Sequence, residues 1–334
     1  MVPDAGEQPE LALGTLPGQR RLSVLDLFAG IGGLSLGFAH HGFEVVGVDN
    51  EPTAERVFEE MKIGGFRLLD LGEAPPMDRP DILVGGPPCR PWSSVNVVRR
   101  RDLHRDYGLL DRFFETVLDA SPQAFLMENV PPLAGDPAYG RHLREVEYNG
   151  YTVAKEVLRY SDFGAATARR RLFTVGFRDS VTFRAADFFT RLDVLRTAPA
   201  TVRDAIWWLR DRPRGDPVDH EWSRLRSIDN YRERYESGRF GWKQLGWDEP
   251  APSFGSVSKT YILHPSAGEG DFPARVVSVR EVLSIMGFSR EFRFPQDTPL
   301  SLRYRMAANA VSPVVSRACA AVLGDMLGHR VETP

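Results

Sequence analysis

The chain is poor in cysteine and in lysine. Its 334 residues include two cysteines, Cys89 and Cys319. Two thiols so far apart make no disulfide framework, and a reducing cytoplasm is their natural setting. No Cys/His cluster has zinc-site spacing, so no metal is expected. Lysine occurs only at Lys62, Lys155, Lys243 and Lys259, a bias towards arginine that reflects genome composition more than function. Apolar runs fall far short of a membrane span, and no charged-then-apolar leader opens the chain, so no membrane partner is expected. The formal net charge of −3 excludes the bulk basic balance that announces a nucleic-acid binder. No internal repeat stands out either.

What remains is an ordinary globular composition, 42% hydrophobic and 26% charged, with length for one large domain and a smaller one. Residues 1–20, rich in Gly, Pro and Glu, read as a loose tail. Between positions 90 and 105 charge is locally uneven: Arg90, Arg99, Arg100, Arg101 and Arg105 face one acid, Asp102. Such a run is commonly just a solvated face.

Along the chain, 22–28 reads as a strand, Ala29-Gly30-Ile31-Gly32-Gly33 as a glycine turn, and 34–41 as a helix stopped by Gly42. A second strand, 43–49, ends on Asp49. This order is that of a βαβ nucleotide-binding unit, whose terminal acid can accept bonds from ribose hydroxyls. The alternation continues with strands at 81–84, 124–127, 151–157 and 171–177 and helices at 109–120 and 140–149. It predicts an α/β fold with a largely parallel, doubly wound sheet and ligands at the strands' carboxyl ends. Asp49, Cys89 and Glu128 all fall at such ends. Cys89 follows Gly85-Gly86-Pro87-Pro88, a stiff turn that can present a thiol to a pocket, although a lone Cys is as often a small core residue. From about 180 to 270 the pattern gives way to an irregular lobe rich in tryptophan (Trp207, Trp208, Trp222, Trp242, Trp247). Helical spacing returns at 278–286 and 306–327.

Taken in order, these motifs resemble those of the DNA (cytosine-5) methyltransferases over 22–327. Asp26-Leu27-Phe28-Ala29-Gly30-Ile31-Gly32-Gly33 is similar to the family's S-adenosylmethionine loop. Asp49 with Asn50 matches its ribose-binding position, and Asp70-Leu71 its adenine position. The resemblance adds Pro87, Leu109, Asn309 and Ala310 to the cofactor site. Pro87-Pro88-Cys89 resembles the nucleophile motif, Glu128-Asn129-Val130 the acidic motif that grips the base, and Thr167-Ala168-Arg169-Arg170-Arg171 the paired arginines. Among these arginines it implies an active-site role for Arg169 and a structural pairing for Arg171. Arg90, Ser93, Arg99, Arg100 and Arg101 fall in the family's DNA-contacting loop, where arginines bind phosphates and position without specifying.

The implied fold is a Rossmann-like S-adenosylmethionine-dependent methyltransferase sheet with a second, smaller, irregular target-recognition domain. Its parts are a tail at 1–20, a catalytic and cofactor domain at 21–180, the recognition domain at 181–272, and a C-terminal return at 273–330. The implied enzyme is a cytoplasmic monomer acting on double-stranded DNA, the modification arm of a restriction–modification pair with a cognate restriction endonuclease.

The chemistry asks for these groups. C5 of cytosine attacks a sulfonium methyl only after a thiolate adds at C6, and an acid beside N3 relieves the charge that then develops. An arginine on the carbonyl oxygen would polarise the ring, and the base must leave the stack to be reached. Rival readings are an RNA (tRNA) cytosine-5 methyltransferase and a catalytically silent DNA-binding homologue. The long recognition lobe weighs against the first, and the intact Cys89, Glu128 and Arg169 against the second. The chain departs from the family at Arg90 and Trp92, where Gln and Phe are usual, and at Ala166, Thr167, Ala308 and Ser312.

Overall fold

The computed structural model describes residues 20–92, 106–223, 243–253 and 262–329. The loop arginines Arg99, Arg100 and Arg101, with Ser93, lie outside the described residues, as do the N-terminal tail and part of the tryptophan-rich lobe. A seven-stranded sheet runs in the order β3-β2-β1-β4-β5-β7-β6. Its strands are β1 (Ser23–Leu27), β2 (Glu44–Asp49), β3 (Gly65–Leu68), β4 (Ile82–Gly85), β5 (Ala124–Asn129), β6 (Tyr151–Arg159) and β7 (Arg170–Arg178). The first five are mutually parallel, whereas β7 runs antiparallel to both β5 and β6.

Both faces of the central strands are buried, which is why β4 and β5 read as continuous apolar runs and not as alternations. On one face Val24, Val84, Leu126 and Val175 meet α1 (Gly33–His40), α2 (Pro52–Glu60) and the C-terminal helix Pro313–Leu327. On the other, Leu25, Leu83 and Phe125 meet α3 (Leu109–Ala120) and α4 (Pro137–Tyr148). Cys319 is fully buried in the C-terminal helix, as a core residue.

The structure adds elements that sequence periodicity did not give, α2 and β3. The spacing expected as one helix over 306–327 divides into Leu300–Asn309 and Pro313–Leu327. An 18-residue window within 300–327 reaches a mean hydropathy of 1.4, but the stretch is interrupted, and 61% of that window is buried within the fold. The helix Ala185–Asp193 lies past the boundary expected at 180, yet it buries Phe188, Phe189 and Leu192 in the sheet's own core.

The order places a switch point between β1 and β4. The chain leaves β1 through α1 to one side, and β4 pairs on the other, so a crevice opens at their carboxyl ends. The C-terminal return closes against it. A Cβ at Gly33 would stand 2.1 Å from the Val311 carbonyl oxygen, so only glycine lets α1 and the last motif touch. Gly33→Ala is expected to cost about 1–3 kcal/mol through this clash. Chemical denaturation measures that loss, and cofactor affinity should fall with it.

Candidate active site

The sheet's antiparallel edge assembles the acidic end of the site. Glu128 on β5 pairs with Phe173 on β7, and Leu158 on β6 pairs with Arg171. Side chains alternate along a strand, so Glu128, Phe173, Arg171, Leu158 and the next-but-one residue, Tyr160, share one face. Glu128 is 8% exposed. Its Oε1 accepts from Tyr160 Oη at 2.9 Å, and Arg171 Nε lies 3.1 Å from the same oxygen. Arg169 is also buried, but its Nη1 donates to the Ala308 carbonyl oxygen at 2.7 Å and its guanidinium lies over the Tyr160 ring. Arg171, expected as the structural partner, is therefore the arginine at the acid, while Arg169 braces the last motif.

Cys89 sits at the end of the turn after β4. The turn is held from β5, where Asn129 Nδ2 donates to the Pro87 carbonyl oxygen at 3.0 Å. Burial pushes the Cys89 thiol up, and Arg171 is the strongest influence pulling it back down, with Arg169 adding to it and Glu128 opposing. The cluster thus contains a thiol, a carboxyl and two guanidiniums that feel one another. Arg90 is exposed and pairs with Asp106 at 3.3 Å.

Trp92 shows what its departure from the family pattern achieves. The ring is buried, and Nε1 donates to Asp136 Oδ2 at 2.7 Å. Asp136 also caps α4, with Oδ1 accepting from Ala138 N at 2.9 Å. Tyr107 packs against the Trp92 ring and reaches the same carboxylate. A phenylalanine here would leave a buried carboxylate oxygen without this donor. Trp92→Phe is expected to lower stability by about 1–3 kcal/mol, read by denaturant midpoint, and to slow adduct formation at Cys89.

The other half of the crevice lies over the glycine turn. Phe28 and Gly30 both have left-handed backbones, at φ 61° and 54°, so the chain turns sharply past the end of β1. A Cβ on Gly30 would meet nothing within 4 Å, which marks open space beside the turn. Asp49 accepts from Gly30 N at 2.9 Å through Oδ2 and from Glu51 N at 3.0 Å through Oδ1. Asn50 Nδ2 donates to Asp70 Oδ2 at 3.0 Å, which holds the Asp70 carboxyl below the usual carboxylate range. Leu71 is buried and its carbonyl accepts from Arg112 of α3, bringing the start of that helix at Leu109 alongside. Asn309 is exposed and Ala310 half-buried where the C-terminal return reaches the turn.

Asp26 is the informative residue here. It is 1% exposed, with Oδ2 accepting from Ser35 N and Oγ, while Oδ1 is buried without a hydrogen bond. A buried carboxylate oxygen without a partner, on the strand that leads into the glycine turn, fits the cationic end of S-adenosylmethionine, and the two acids at Asp49 and Asp70 fit its hydroxyl and amine donors. Burial pushes the Asp26 carboxyl up to about 7. The folded chain therefore holds this proton more tightly than the unfolded one, and its contribution to stability falls as pH rises from the ordinary carboxyl range through 7. Asp26→Asn should remove that part of the pH dependence, so melting temperatures at about pH 5 and about pH 8 should differ less in the variant. Cofactor affinity should fall in the same variant.

The segment 247–251 is tied to this site by backbone. Ala251 N donates to the Ala166 carbonyl oxygen at 2.8 Å, and Ala168 N to that of Ala251 at 2.7 Å. On its far side, Val202 N and Arg203 N donate to the Glu249 and Trp247 carbonyl oxygens. Arg203 pairs with Asp248 and lies over the Trp207 and Trp247 rings. His264 is fully buried, with Nε2 3.6 Å from Glu281 Oε1, in a packed ionic network.

The C-5 cytosine-specific DNA methylase family matches residues 22–325. Type II methyltransferase M.FnuDI of Fusobacterium nucleatum is 28% identical over 318 residues, covering 87% of this chain and 90% of its own. M.MthTI of Methanothermobacter thermautotrophicus is 27% identical over 317 residues, at 87% and 93% coverage. The S. pombe Dnmt2 methyltransferase structure superposes with a TM-score of 0.67 at 16% identity, over 92% of this chain and 99% of that one. The chain accordingly belongs to the C-5 cytosine-specific DNA methylase family, and is a DNA (cytosine-5) methyltransferase whose methyl donor is S-adenosylmethionine.

Proposed function

We propose that Cys89 adds to C6 of a flipped-out cytosine, with Glu128 as the acid at N3 and Arg171 as the cation that holds the acid and moderates the thiol. The observation that carries this reading is the ion pair of Arg171 with Glu128 at 3.1 Å, in a cluster where the same guanidinium is the strongest influence drawing the Cys89 thiol down. In the first step the sulfur pair forms the S–C6 bond. The C5–C6 π pair moves to C4–C5, the C4–N3 π pair moves to N3, and N3 takes the Glu128 proton. C5 is then the nucleophilic carbon of an enamine. S-adenosylmethionine, when bound, supplies an electrophilic methyl group on a sulfonium sulfur. As the enamine pair forms the new C5–methyl bond, Glu128 recovers the proton from N3. Water then takes the C5 proton, the C5–H pair re-forms the C5–C6 double bond, and the C6–S pair leaves with the Cys89 thiolate.

Asp26, Asp49 and Asp70 would hold the donor's cationic end, ribose and adenine. Arg169 keeps the last motif against the arginine turn, and the flanking arginines from Arg90 to Arg101 would bind DNA phosphates. We read 21–180 as the catalytic part, 181–272 as the target-recognition domain and 273–330 as the return to the catalytic part. The substrate in this reading is a short specific sequence in double-stranded DNA, met by a monomer in the cytoplasm. The type II names of the relatives support a restriction–modification role with a partner endonuclease.

Burial of the Cys89 thiol means that adduct formation should accelerate as pH rises towards its titration, since the thiolate is the attacking form. Cys89→Ser should abolish methylation while leaving cofactor binding intact, and duplex DNA containing 5-fluorocytosine should trap a covalent adduct with the parent enzyme only. Methyl transfer to unmethylated duplex DNA but not to total tRNA, followed by bisulfite sequencing, tests substrate and site together. Full activity in Cys89→Ser would sink the mechanism, and preference for tRNA would sink the substrate.

A further inference from the structure

Glu128 is gripped by one oxygen. Both of its side-chain partners, Tyr160 Oη at 2.9 Å and Arg171 Nε at 3.1 Å, converge on Oε1. No described residue hydrogen-bonds Oε2, which lies 3.5 Å from where a Cβ on Gly86 would stand, at the start of the Pro-Pro-Cys turn. Tyr160 is fully buried, and this is its side-chain hydrogen bond among the described residues.

The asymmetry has a chemical meaning. A protonated carboxyl carries one O–H, and a guanidinium can only donate. A proton on Oε1 would set a donor against the Arg171 N–H and would turn the Tyr160 hydroxyl from donor to acceptor, leaving its own buried O–H without an acceptor among the described residues. A proton on Oε2 leaves both bonds intact. The donor pair therefore distinguishes two oxygens that are chemically equivalent in free glutamate.

We propose that Tyr160 is a positioning residue for methylation: with Arg171 it pins Oε1 and confines the transferable proton of Glu128 to Oε2, the oxygen beside the Cys89 turn. The proposal rests on the reading of Glu128 as the acid at the base. Its placement follows from the sheet. β6 brings Leu158 opposite Arg171, and the chain's alternation carries Tyr160 to the same face, with Tyr160 N donating to the Arg169 carbonyl oxygen at 2.9 Å. When sulfur adds at C6 the Oε2 proton passes to N3, and it returns to Oε2 when the C5–methyl bond forms. Oε1 accepts from Tyr160 and stays beside the Arg171 guanidinium throughout.

Tyr160→Phe keeps the ring and removes only the hydroxyl. With unmethylated bacterial genomic DNA as substrate, single-turnover methylation should slow roughly tenfold, the worth of one hydrogen bond to a charged group. KM for that DNA and affinity for the cofactor should stay within about twofold. An unchanged rate would overturn the proposal. So would a fall shared by rate, KM, cofactor affinity and Tm, which is the signature of a structural role. Glu128→Gln run in parallel separates the two readings. If it keeps the parent rate, the acid assignment fails and the proposal with it. If it is inactive while Tyr160→Phe matches the parent enzyme, only the positioning role fails.

Discussion

A carboxyl group buried at the end of a β-strand must be compensated, and the way Glu128 is compensated organises this enzyme. Removing a carboxylate from water is costly unless hydrogen bonds and an opposite charge replace the lost solvent. Here both come from one antiparallel edge: β7 delivers Arg171 and the residue after β6 delivers Tyr160. The same Arg171, with Arg169, offsets part of the burial effect on Cys89. Reversal of strand direction at β7 is what brings Arg171 to Glu128, since a parallel strand would bring its opposite end there.

The cofactor side, on the proposed reading, repeats an asymmetry. Glu128 is held through Oε1, and at Asp26 Oδ2 takes both bonds from Ser35 while Oδ1 is buried without one. Buried polar atoms without partners are uncommon and call for an explanation. A cationic ligand bound beside Asp26 would relieve Oδ1. Left-handed Phe28 belongs to the same economy, a backbone conformation held because the turn around it is over-determined.

Much of this was legible in the sequence, for identifiable reasons. Asp49, Cys89 and Glu128 stand at the ends of apolar runs punctuated by Gly and Pro, and such punctuation survives without tertiary context. Other features needed the fold. β3 is largely exposed along its length and α2 buries only three residues, so neither leaves a strong apolar signature. Apolar spacing runs through Ala310 to Ser312 and hides the break between the last helices. Tyr160 and Trp92 act through partners 32 and 44 positions away, and a hydroxyl or indole N–H gives no sign in sequence of where its acceptor lies. The assignment of the two arginines turned on strand register, which a short motif does not encode.

The backbone bonds between Ala251 and the Ala166–Ala168 turn bear on how such enzymes diversify. A reading lobe joined to its catalytic domain only by flexible linkers could be exchanged freely for another. On the proposed reading of 181–272 as the lobe that reads DNA, the strap at 247–252 supplies main-chain partners to the turn immediately preceding Arg169. These bonds ask for a backbone path and not for particular side chains, so a foreign lobe grafted here would have to carry an extended strap along the same line.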